Sequence, residues 1–304
     1  MKPEINKKSN AKVAEVAKKI VDFETDKKIT WCGNCGNYGI VNALMRAIAL
    51  EGLEREDFML CYDVGCNGNE ADKIEANTIH GLHGRVLSLA AGCKLANPKM
   101  KVIASAGDGA TFSEGVNHFV HAVRNNYPML FILHDNENYA LTTGQASALT
   151  RCGVRLNGTP DGVSVPPLNA CDFALSLNPS WVARSFSGEV EHMTEMIRQG
   201  LNHDGFAFLQ IFQSCPTYNR ETPDHWYNER IRDVKELKDY DRHDIWQARK
   251  IVQDLEEDIY VGLIYEDKER KSFLETLPNR KGRKTALTQE VEHYDIGGIL
   301  KGLG

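Results

Sequence analysis

Two short apolar runs, joined by an amphipathic segment, constrain the fold of this chain more than any other feature. The first run, residues 102–106, ends in Gly-Asp-Gly at residues 107–109, and the second, residues 129–133, ends in His-Asp-Asn at residues 134–136. Between them, apolar side chains recur with helical spacing over residues 116–123. The pattern predicts a strand, a helix and a second strand, with polar residues at the carboxyl ends of the strands, where open α/β sheets bind ligands.

The polar residues at the two strand ends suit a divalent cation that carries a diphosphate. Mg²⁺ prefers oxygen ligands and is usually held by one or two side-chain oxygens together with phosphate and water. Asp108 and Asn136 would supply a carboxylate and an amide oxygen. Gly107 and Gly109 would let backbone N–H groups approach a phosphate closely. Gly-Asp-Gly alone is an ordinary turn, but with the Asp-Asn that ends the next strand it resembles the thiamine diphosphate motif.

Length and charge bound the class of protein. The 304 residues can bury one large α/β core or two smaller ones without disulfides. A net charge of -6 and a pI near 6.0 argue against nucleic-acid binding, which needs a basic surface. No run of about 18 consecutive apolar residues predicts a membrane span, and no signal-peptide apolar region opens the chain. We therefore expect a cytoplasmic protein that binds neither nucleic acid nor membrane.

Eight cysteines are too few for a disulfide scaffold, so buried thiols or metal ligands are expected. Cys32 and Cys35 form a Cys-x-x-Cys turn that fits a redox pair, a zinc site or an iron–sulfur cluster. On this pair alone, zinc ranks first. Cys66 and Cys215 each stand just after a predicted strand, and their placement changes that ranking. Cys61 lies inside a predicted strand and is expected to be a core residue.

The rest of the chain continues the alternation of strands and helices. Further strands are predicted over residues 58–64, 181–186, 206–212 and 260–265, and helices over residues 189–201 and 245–255, with an added N-terminal helix from residue 10. Residues 148–178 are predicted to be rich in loops. His83 stands near the start of a predicted helix, where it could contact a diphosphate or act as an acid or base. A lone histidine is more often structural.

Taken together, these motifs resemble the β subunit, or thiamine diphosphate domain, of the 2-oxoacid:ferredoxin oxidoreductases. The matches follow the family's order: Trp-Cys-x-x-Cys-Gly at 31–36, Gly-Cys at 65–66, His-Gly-Arg at 83–85, Gly-Asp-Gly at 107–109, Asp-Asn-x-x-Tyr-x-x-Thr-x-Gly-Gln at 135–145 and Cys-x-Thr-Tyr-Asn at 215–219. The resemblance implies an α/β thiamine diphosphate-binding fold, a mostly parallel sheet flanked by helices, over residues 30–220. Residues 1–29 would be a helical extension, and residues 221–304 a tail packing on the domain or its partner.

The resemblance also implies three sets of site residues. The ligands of one [4Fe-4S] cluster would be Cys32, Cys35, Cys66 and Cys215. Mg²⁺ would be bound by Asp108, Asn136 and the carbonyl of Asn138. The thiamine diphosphate would be contacted by Cys66, His83, Gly107, Asp108, Gly109, Asn136, Leu141 and Thr142, with His83 in a catalytic role.

The implied activity is the coenzyme A-dependent oxidative decarboxylation of a 2-oxoacid to acyl-CoA and CO₂, with electrons passing to ferredoxin. The family's enzymes need an α (or fused α/γ) subunit, which supplies the glutamate that activates the cofactor. Departures from the family pattern, such as Asp63 and Ala110, leave the substrate open between 2-oxoglutarate and pyruvate. Two alternatives remain. A non-redox thiamine diphosphate-dependent decarboxylase or synthase domain would not need the four cysteines, and a zinc-stabilised binding module would not need Gly-Asp-Gly.

Overall fold

An eight-stranded sheet lies at the centre of the computed structural model, which describes residues 16–278 and 297–302. Its strands are β1 (Phe58–Tyr62), β2 (Thr78–His80), β3 (Lys101–Gly107), β4 (Met129–Asp135), β5 (Trp181–Phe186), β6 (Phe206–Phe212), β7 (Ile231–Asp233) and β8 (Ile259–Glu266). Their order across the sheet is β2-β1-β3-β4-β6-β5-β8-β7. Every neighbouring pair is parallel except β5 and β8. The predicted mostly parallel sheet is therefore confirmed.

Helices cover both faces of this sheet. The described part of α1 spans residues 16–23. The others are α2 (Asn37–Leu50), α3 (Val86–Ala96), α4 (Val116–Asn125), α5 (Ala170–Ser176), α6 (Val190–Asn202), α7 (Asp224–Arg230), α8 (Ile245–Ile251), α9 (Phe273–Thr276) and α10 (Gly297–Lys301). Three shorter helical turns are the 3₁₀ segments Asn67–Asp72 and Val234–Glu236 and the π-helical segment Gly109–Glu114. None of the described helices has the length and apolar character needed to cross a membrane.

The central strand β4 shows why the apolar runs form strands buried on both sides. Phe131 and Leu133 belong to the core that contains α3 and α4, whereas Leu130 and Ile132 face the core that contains α2 and α6. Successive side chains of a strand point to opposite faces, so a strand covered on both faces reads as a continuous apolar run. The run at residues 129–133 predicted this strand, which extends to Asp135.

Phe119 of α4 anchors the segment that follows β3. Its ring is fully buried and contacts Phe112 of the π-helical segment at 5.0 Å and Phe208 of β6 at 5.1 Å, measured between ring centroids. Burying one such side chain contributes about 1.5–3 kcal/mol. The aromatic cluster therefore fixes the path of the chain directly after Asp108.

The sequence predictions and the structure differ in the middle of the chain and agree at the long elements. The predicted loop-rich stretch 148–178 is wrong at α5, which begins where the Asn169 side chain accepts a hydrogen bond from the Asp172 N–H at 3.1 Å. Seven residues are too few to show a helical period. The predicted tail supplies β7 and β8 to the sheet. The division of the chain at residues 30 and 220 stays a prediction, and residues 1–15, 279–296 and 303–304 lie outside the described residues.

Candidate active site

The carboxyl ends of β3 and β4 lie side by side, and the polar residues predicted there meet in one cavity. Gly107 pairs with His134 in the strand register, so Asp108 and Asn136 follow at the same edge of the sheet. The lining of this cavity, which we call the cofactor cavity, includes every residue predicted to contact the diphosphate or Mg²⁺: Cys66, His83, Gly107, Asp108, Gly109, Asn136, Asn138, Leu141 and Thr142. Their individual roles stay predictions.

Asp108 is buried, with 1% of its surface exposed, and among the described residues it has no ion pair with a basic side chain. Burial raises the pKa of its carboxyl well above the ordinary value, and the nearby Asp135 and Glu137 carboxyls raise it further. The hydroxyl of Ser147 donates a hydrogen bond to Asp108 Oδ2 and opposes this rise in the pKa. A buried carboxyl without a cationic partner fits the requirement of a site that receives a divalent cation.

The turn after β4 presents oxygen atoms to the same space. Asn138 donates its main-chain N–H to Asn136 Oδ1 at 3.1 Å and its side-chain N–H to the Asn136 carbonyl at 2.8 Å. Asn138 Oδ1 is buried and has no hydrogen-bond partner in the described part of the chain. Glu137 between them has a φ of 57°, and Arg151 Nε donates to its carboxylate at 3.0 Å. A non-glycine residue in this conformation costs about 1–3 kcal/mol, so the ion pair helps to hold the strained turn.

His83 is held between two carboxylates. Its Nδ1 lies 3.1 Å from Asp63 Oδ1, and its Nε2 lies 3.4 Å from Glu114 Oε1. Asp63 also accepts hydrogen bonds from the main-chain N–H groups of Gly84 at 2.9 Å and Val86 at 3.1 Å, which ties it to the start of α3. Because the Asp63 carboxylate only accepts, it selects the tautomer of His83 with the proton on Nδ1. The sequence flagged Asp63 only as a departure from the family pattern, and its contact with His83 was missed.

A buried polar group beneath the cofactor cavity was also missed. Asn37, Asn67, His134 and Gln213 all line the cavity. His134 Nδ1 lies 2.9 Å from Asn37 Oδ1, and its Nε2 lies 3.0 Å from Ser105 Oγ. Burial lowers the pKa of His134 to about 3, so the ring is neutral. In the sequence, His134 directly precedes Asp-Asn, and Asn37 stands two positions after Cys35. Nearness to these motifs was the one indication of their place in the site, because neither residue belongs to a motif of its own.

The four predicted cluster cysteines line a second cavity, which we call the cysteine cavity. Its lining includes Cys32, Cys35, Cys66 and Cys215. The indole N–H of Trp31 donates to the Cys66 carbonyl at 2.7 Å and fixes the turn that carries Cys32 against the strand exit. The two cavities share a wall made of Cys66, Asn136, Ala140, Leu141 and Gln213. Cys61 is buried in the core, as predicted.

Burial governs the protonation of these thiols. Burial, together with the neighbouring cysteines, raises the pKa of Cys35 to about 11 and that of Cys66 to about 12. Cys32 and Cys215 act on both thiols, so the four side chains are electrostatic neighbours. Over residues 16–278 and 297–302, no group of three or more His, Cys, Asp or Glu side chains has the arrangement needed to hold a metal ion.

Comparison with known families first defines the class of protein. Residues 63–211 match the model described as "Thiamine pyrophosphate enzyme, C-terminal TPP binding domain", and this stretch carries Asp108, Asn136 and most of the cofactor cavity. Residues 215–282 match the family model for the C-terminal part of the pyruvate ferredoxin oxidoreductase β chain. The fold is therefore that of a thiamine diphosphate-binding enzyme domain.

Similar proteins then define the family. A 2-oxoacid:ferredoxin oxidoreductase subunit beta from Sulfolobus sp is 37% identical over 213 residues, which cover 69% of this chain and 70% of the relative. A second relative is subunit beta of 2-oxoacid:ferredoxin oxidoreductase 2 from Aeropyrum pernix. It is 32% identical over 272 residues, which cover 86% of this chain and 88% of the relative. This chain belongs to the β subunits of the 2-oxoacid:ferredoxin oxidoreductases, which confirms the resemblance predicted from its motifs.

A solved structure supports the same assignment. The 2-oxoglutarate:ferredoxin oxidoreductase from Magnetococcus marinus superposes with a TM-score of 0.83 at 29% identity, covering 93% of this chain and 95% of that chain. The predicted fold and the prediction of an oxidoreductase that uses thiamine diphosphate are therefore confirmed.

Proposed function

We propose that this chain carries both thiamine diphosphate with Mg²⁺ and one [4Fe-4S] cluster, and that with an α subunit it oxidatively decarboxylates a 2-oxoacid. Coenzyme A would accept the acyl group and ferredoxin the electrons. One observation carries the proposal: the cofactor cavity and the cysteine cavity share a wall of five residues, which includes Cys66 and Asn136. A non-redox thiamine diphosphate enzyme would have no need of four cysteines around an adjoining cavity.

The oxygen atoms around Asp108 support Mg²⁺ as the bound cation. The buried Asp108 carboxyl lacks a cationic partner in the described chain, and Asn138 Oδ1 there lacks a hydrogen-bond donor. Oxygen donors of this kind match the preference of Mg²⁺, which completes its shell with phosphate and water. Asp108 and Asn136 would bind the ion, and the Gly109 main chain would approach the diphosphate. An added Cβ at Gly109 would lie 2.5 Å from the Tyr139 ring, so the backbone there can carry no side chain.

The arrangement of the cysteines supports a cluster over a zinc ion. Four ligands of one zinc ion must converge to about 2.0–2.3 Å from a single point. Cys32, Cys35, Cys66 and Cys215 line one cavity, which shares five lining residues with the cofactor cavity. The thiolates of a [4Fe-4S] cluster bind different iron atoms, so their sulfurs surround a larger volume. A cluster at this position could also accept the electrons released by the decarboxylation, whereas Zn²⁺ has no redox chemistry.

The residues of this chain would bind and orient the reacting groups. Bound thiamine diphosphate supplies an electron sink for decarboxylation, and an iron–sulfur cluster accepts electrons one at a time. His83, fixed by Asp63, holds its Nε2 at the cavity, where it can exchange a proton with Glu114 or with a bound substrate. The neutral His134 ring and the Asn37 amide are hydrogen-bonded to each other and line the cofactor cavity with dipoles of fixed orientation. Asn37 Nδ2 has no hydrogen-bond partner in the described chain.

The similar proteins support two candidate substrates. The Magnetococcus marinus enzyme was solved with 2-oxoglutarate, coenzyme A and succinyl-CoA bound, whereas the second family model is named for pyruvate. We therefore propose 2-oxoglutarate and pyruvate as the two substrates to test first.

The test is the metal content of the complex, purified anaerobically with its α subunit. We expect about four iron atoms per chain and a brown protein whose visible absorbance bleaches when a 2-oxoacid and coenzyme A are added. Cys215→Ser should lose most of the iron, while Cys152→Ser, at an exposed thiol outside the cysteine cavity, should retain it. Stoichiometric zinc without iron in the wild-type complex would refute the cluster.

A further inference from the structure

We propose that Gln213 sets the reduction potential of the iron–sulfur cluster by donating a hydrogen bond to the sulfur of Cys35 from the wall between the two cavities. The inference rests on the proposed cluster at Cys32, Cys35, Cys66 and Cys215. It assigns a tuning role to a residue that carries no motif and binds no metal. Gln213 itself exchanges neither a proton nor an electron.

The position of Gln213 is the first argument. It follows directly after β6, and its main-chain N–H donates to the carbonyl of Asp135 at 2.8 Å. Its side chain is buried, with 1% exposed, and lines both the cofactor cavity and the cysteine cavity. Of the five residues that form the shared wall, Gln213 is the one whose described side chain donates to a sulfur, with Nε2 3.6 Å from Cys35 Sγ.

The packing around this contact is the second argument. A Cβ added to Gly36, the residue after Cys35, would lie 2.5 Å from Gln213 Cγ and 2.6 Å from Ser187 Oγ. Gly36 therefore brings the Cys-x-x-Cys turn against the Gln213 side chain more closely than any other residue would allow. The glutamine has little freedom to turn away from the sulfur.

The chemistry of the amide is the third argument. The nitrogen of a glutamine side chain donates two hydrogen bonds and its oxygen only accepts, so a metal-bound thiolate favours the orientation with nitrogen towards sulfur. The Gln213 side chain also acts on the neighbouring His134 ring as a hydrogen-bonding group, although the Oε1 atom has no partner at normal hydrogen-bond distance in the described chain. An N–H group directed at a cluster sulfur stabilises the reduced, more negative cluster, and such hydrogen bonds are among the factors that set iron–sulfur potentials. Low polarity around the buried wall strengthens the effect.

The experiment is a potentiometric titration of the cluster in the α/β complex, followed by electron paramagnetic resonance. Gln213→Met keeps the length of the side chain and removes the donor. We expect the iron content to stay unchanged. The midpoint potential should fall by about 59 mV, which corresponds to a tenfold change in the equilibrium constant of a one-electron reduction. Gln213→Glu should lower the potential further, because a carboxylate adds negative charge beside the sulfur.

The matched control is Ser187→Ala, which changes the other side chain packed against Gly36. Ser187 Oγ is buried and has no hydrogen-bond partner in the described chain, so its loss should leave the potential unchanged. An iron-loaded Gln213→Met or Gln213→Glu complex with the wild-type potential would overturn the inference. A wild-type complex without iron would overturn the proposed function as well, so the two failures are distinguishable.

Discussion

Burial of the Asp108 carboxyl lowers the stability of the cofactor-free chain, and the proposed cation would offset this cost. The carboxyl is removed from water, lies near two other acids and receives a hydrogen bond from Ser147, yet has no basic partner in the described chain. Burying such a group is unfavourable unless a cation arrives. Its place at the exit of β3, beside Asn136, supports the ligand role that we propose for it.

We predict that Asp108→Asn separates stability from cofactor binding. Asparagine can still accept the hydrogen bond from Ser147, so the thermal midpoint of the cofactor-free chain should be equal to or higher than that of the wild type. Stabilisation by Mg²⁺ with thiamine diphosphate should disappear; in the wild type it should reach about 2.7 kcal/mol at a ligand concentration of 100 Kd. Thermal unfolding with and without the ligands measures both. Asp161→Asn, at an exposed loop position, is the control and should keep the full shift.

Some residues of the candidate site could be predicted from short sequence motifs, and others could not. Asp108, Asn136, Cys66 and Cys215 were predicted just after strands, and Cys32 and Cys35 in a Cys-x-x-Cys turn. The structure brings each set into one cavity. His134 and Gln213 could not be found in this way. His134 meets Asn37 across 97 positions of sequence, and such a contact depends on which strands become neighbours and in what register. Local patterns do not contain that information.

Among the elements, α2 packs unusually close to the turn that leaves β5. A Cβ at Gly39 would overlap the main-chain oxygen of Ser187 and approach the Met193 side chain to 3.5 Å. The helix therefore needs glycine here even though glycine is unfavourable inside helices. This close approach also carries the Cys-x-x-Cys turn, which directly precedes α2, to its place beside Gln213.

We predict that Gly39→Ala destabilises the chain by about 1–3 kcal/mol, because the clash is with a main-chain atom that cannot move aside. Gly92→Ala in α3 is the matched control. Its Cβ would meet nothing within 4 Å, so the better helix former should stabilise by up to about 1 kcal/mol. Urea unfolding at equilibrium measures both values, with unchanged m-values as the check. A neutral Gly39→Ala would contradict the close packing of α2.

The elements that the sequence predicted best are the long buried ones. The bounds of β5 and β6 agree with the predicted ranges because each is a mostly apolar run, interrupted by few polar residues and followed by polar ones. The three-residue β2 and the seven-residue α5 and α7 are too short to show a period. That β8 runs antiparallel to β5 was also beyond prediction, because strand direction depends on the path of the whole chain.

For the whole molecule, the rim of the cofactor cavity is apolar and exposed. Leu82, next to His83, is 79% exposed, and Leu141 of the shared wall is 52% exposed. Exposed leucines beside a site are expected where a second chain completes it. The rim therefore fits the proposed contact with an α subunit.

We predict that Leu82→Asp weakens binding of the α subunit by about tenfold or more, because burying one leucine contributes about 1.5–3 kcal/mol and 1.4 kcal/mol is a factor of ten. Titration of the labelled chain with its α partner measures the affinity. Trp246→Asp is the control: this side chain is 72% exposed but lies on α8, which packs against α5. Equal affinities for the wild type and Leu82→Asp would place the interface elsewhere.

The shared wall also limits how such a chain can diverge. Each of its five residues faces two cavities, so a larger side chain on one side takes space from the other, and a substitution that improves one site disturbs its neighbour. Leu82 lines neither cavity. We therefore expect new substrate preferences within this family to arise around Leu82, while the five residues of the shared wall stay nearly fixed.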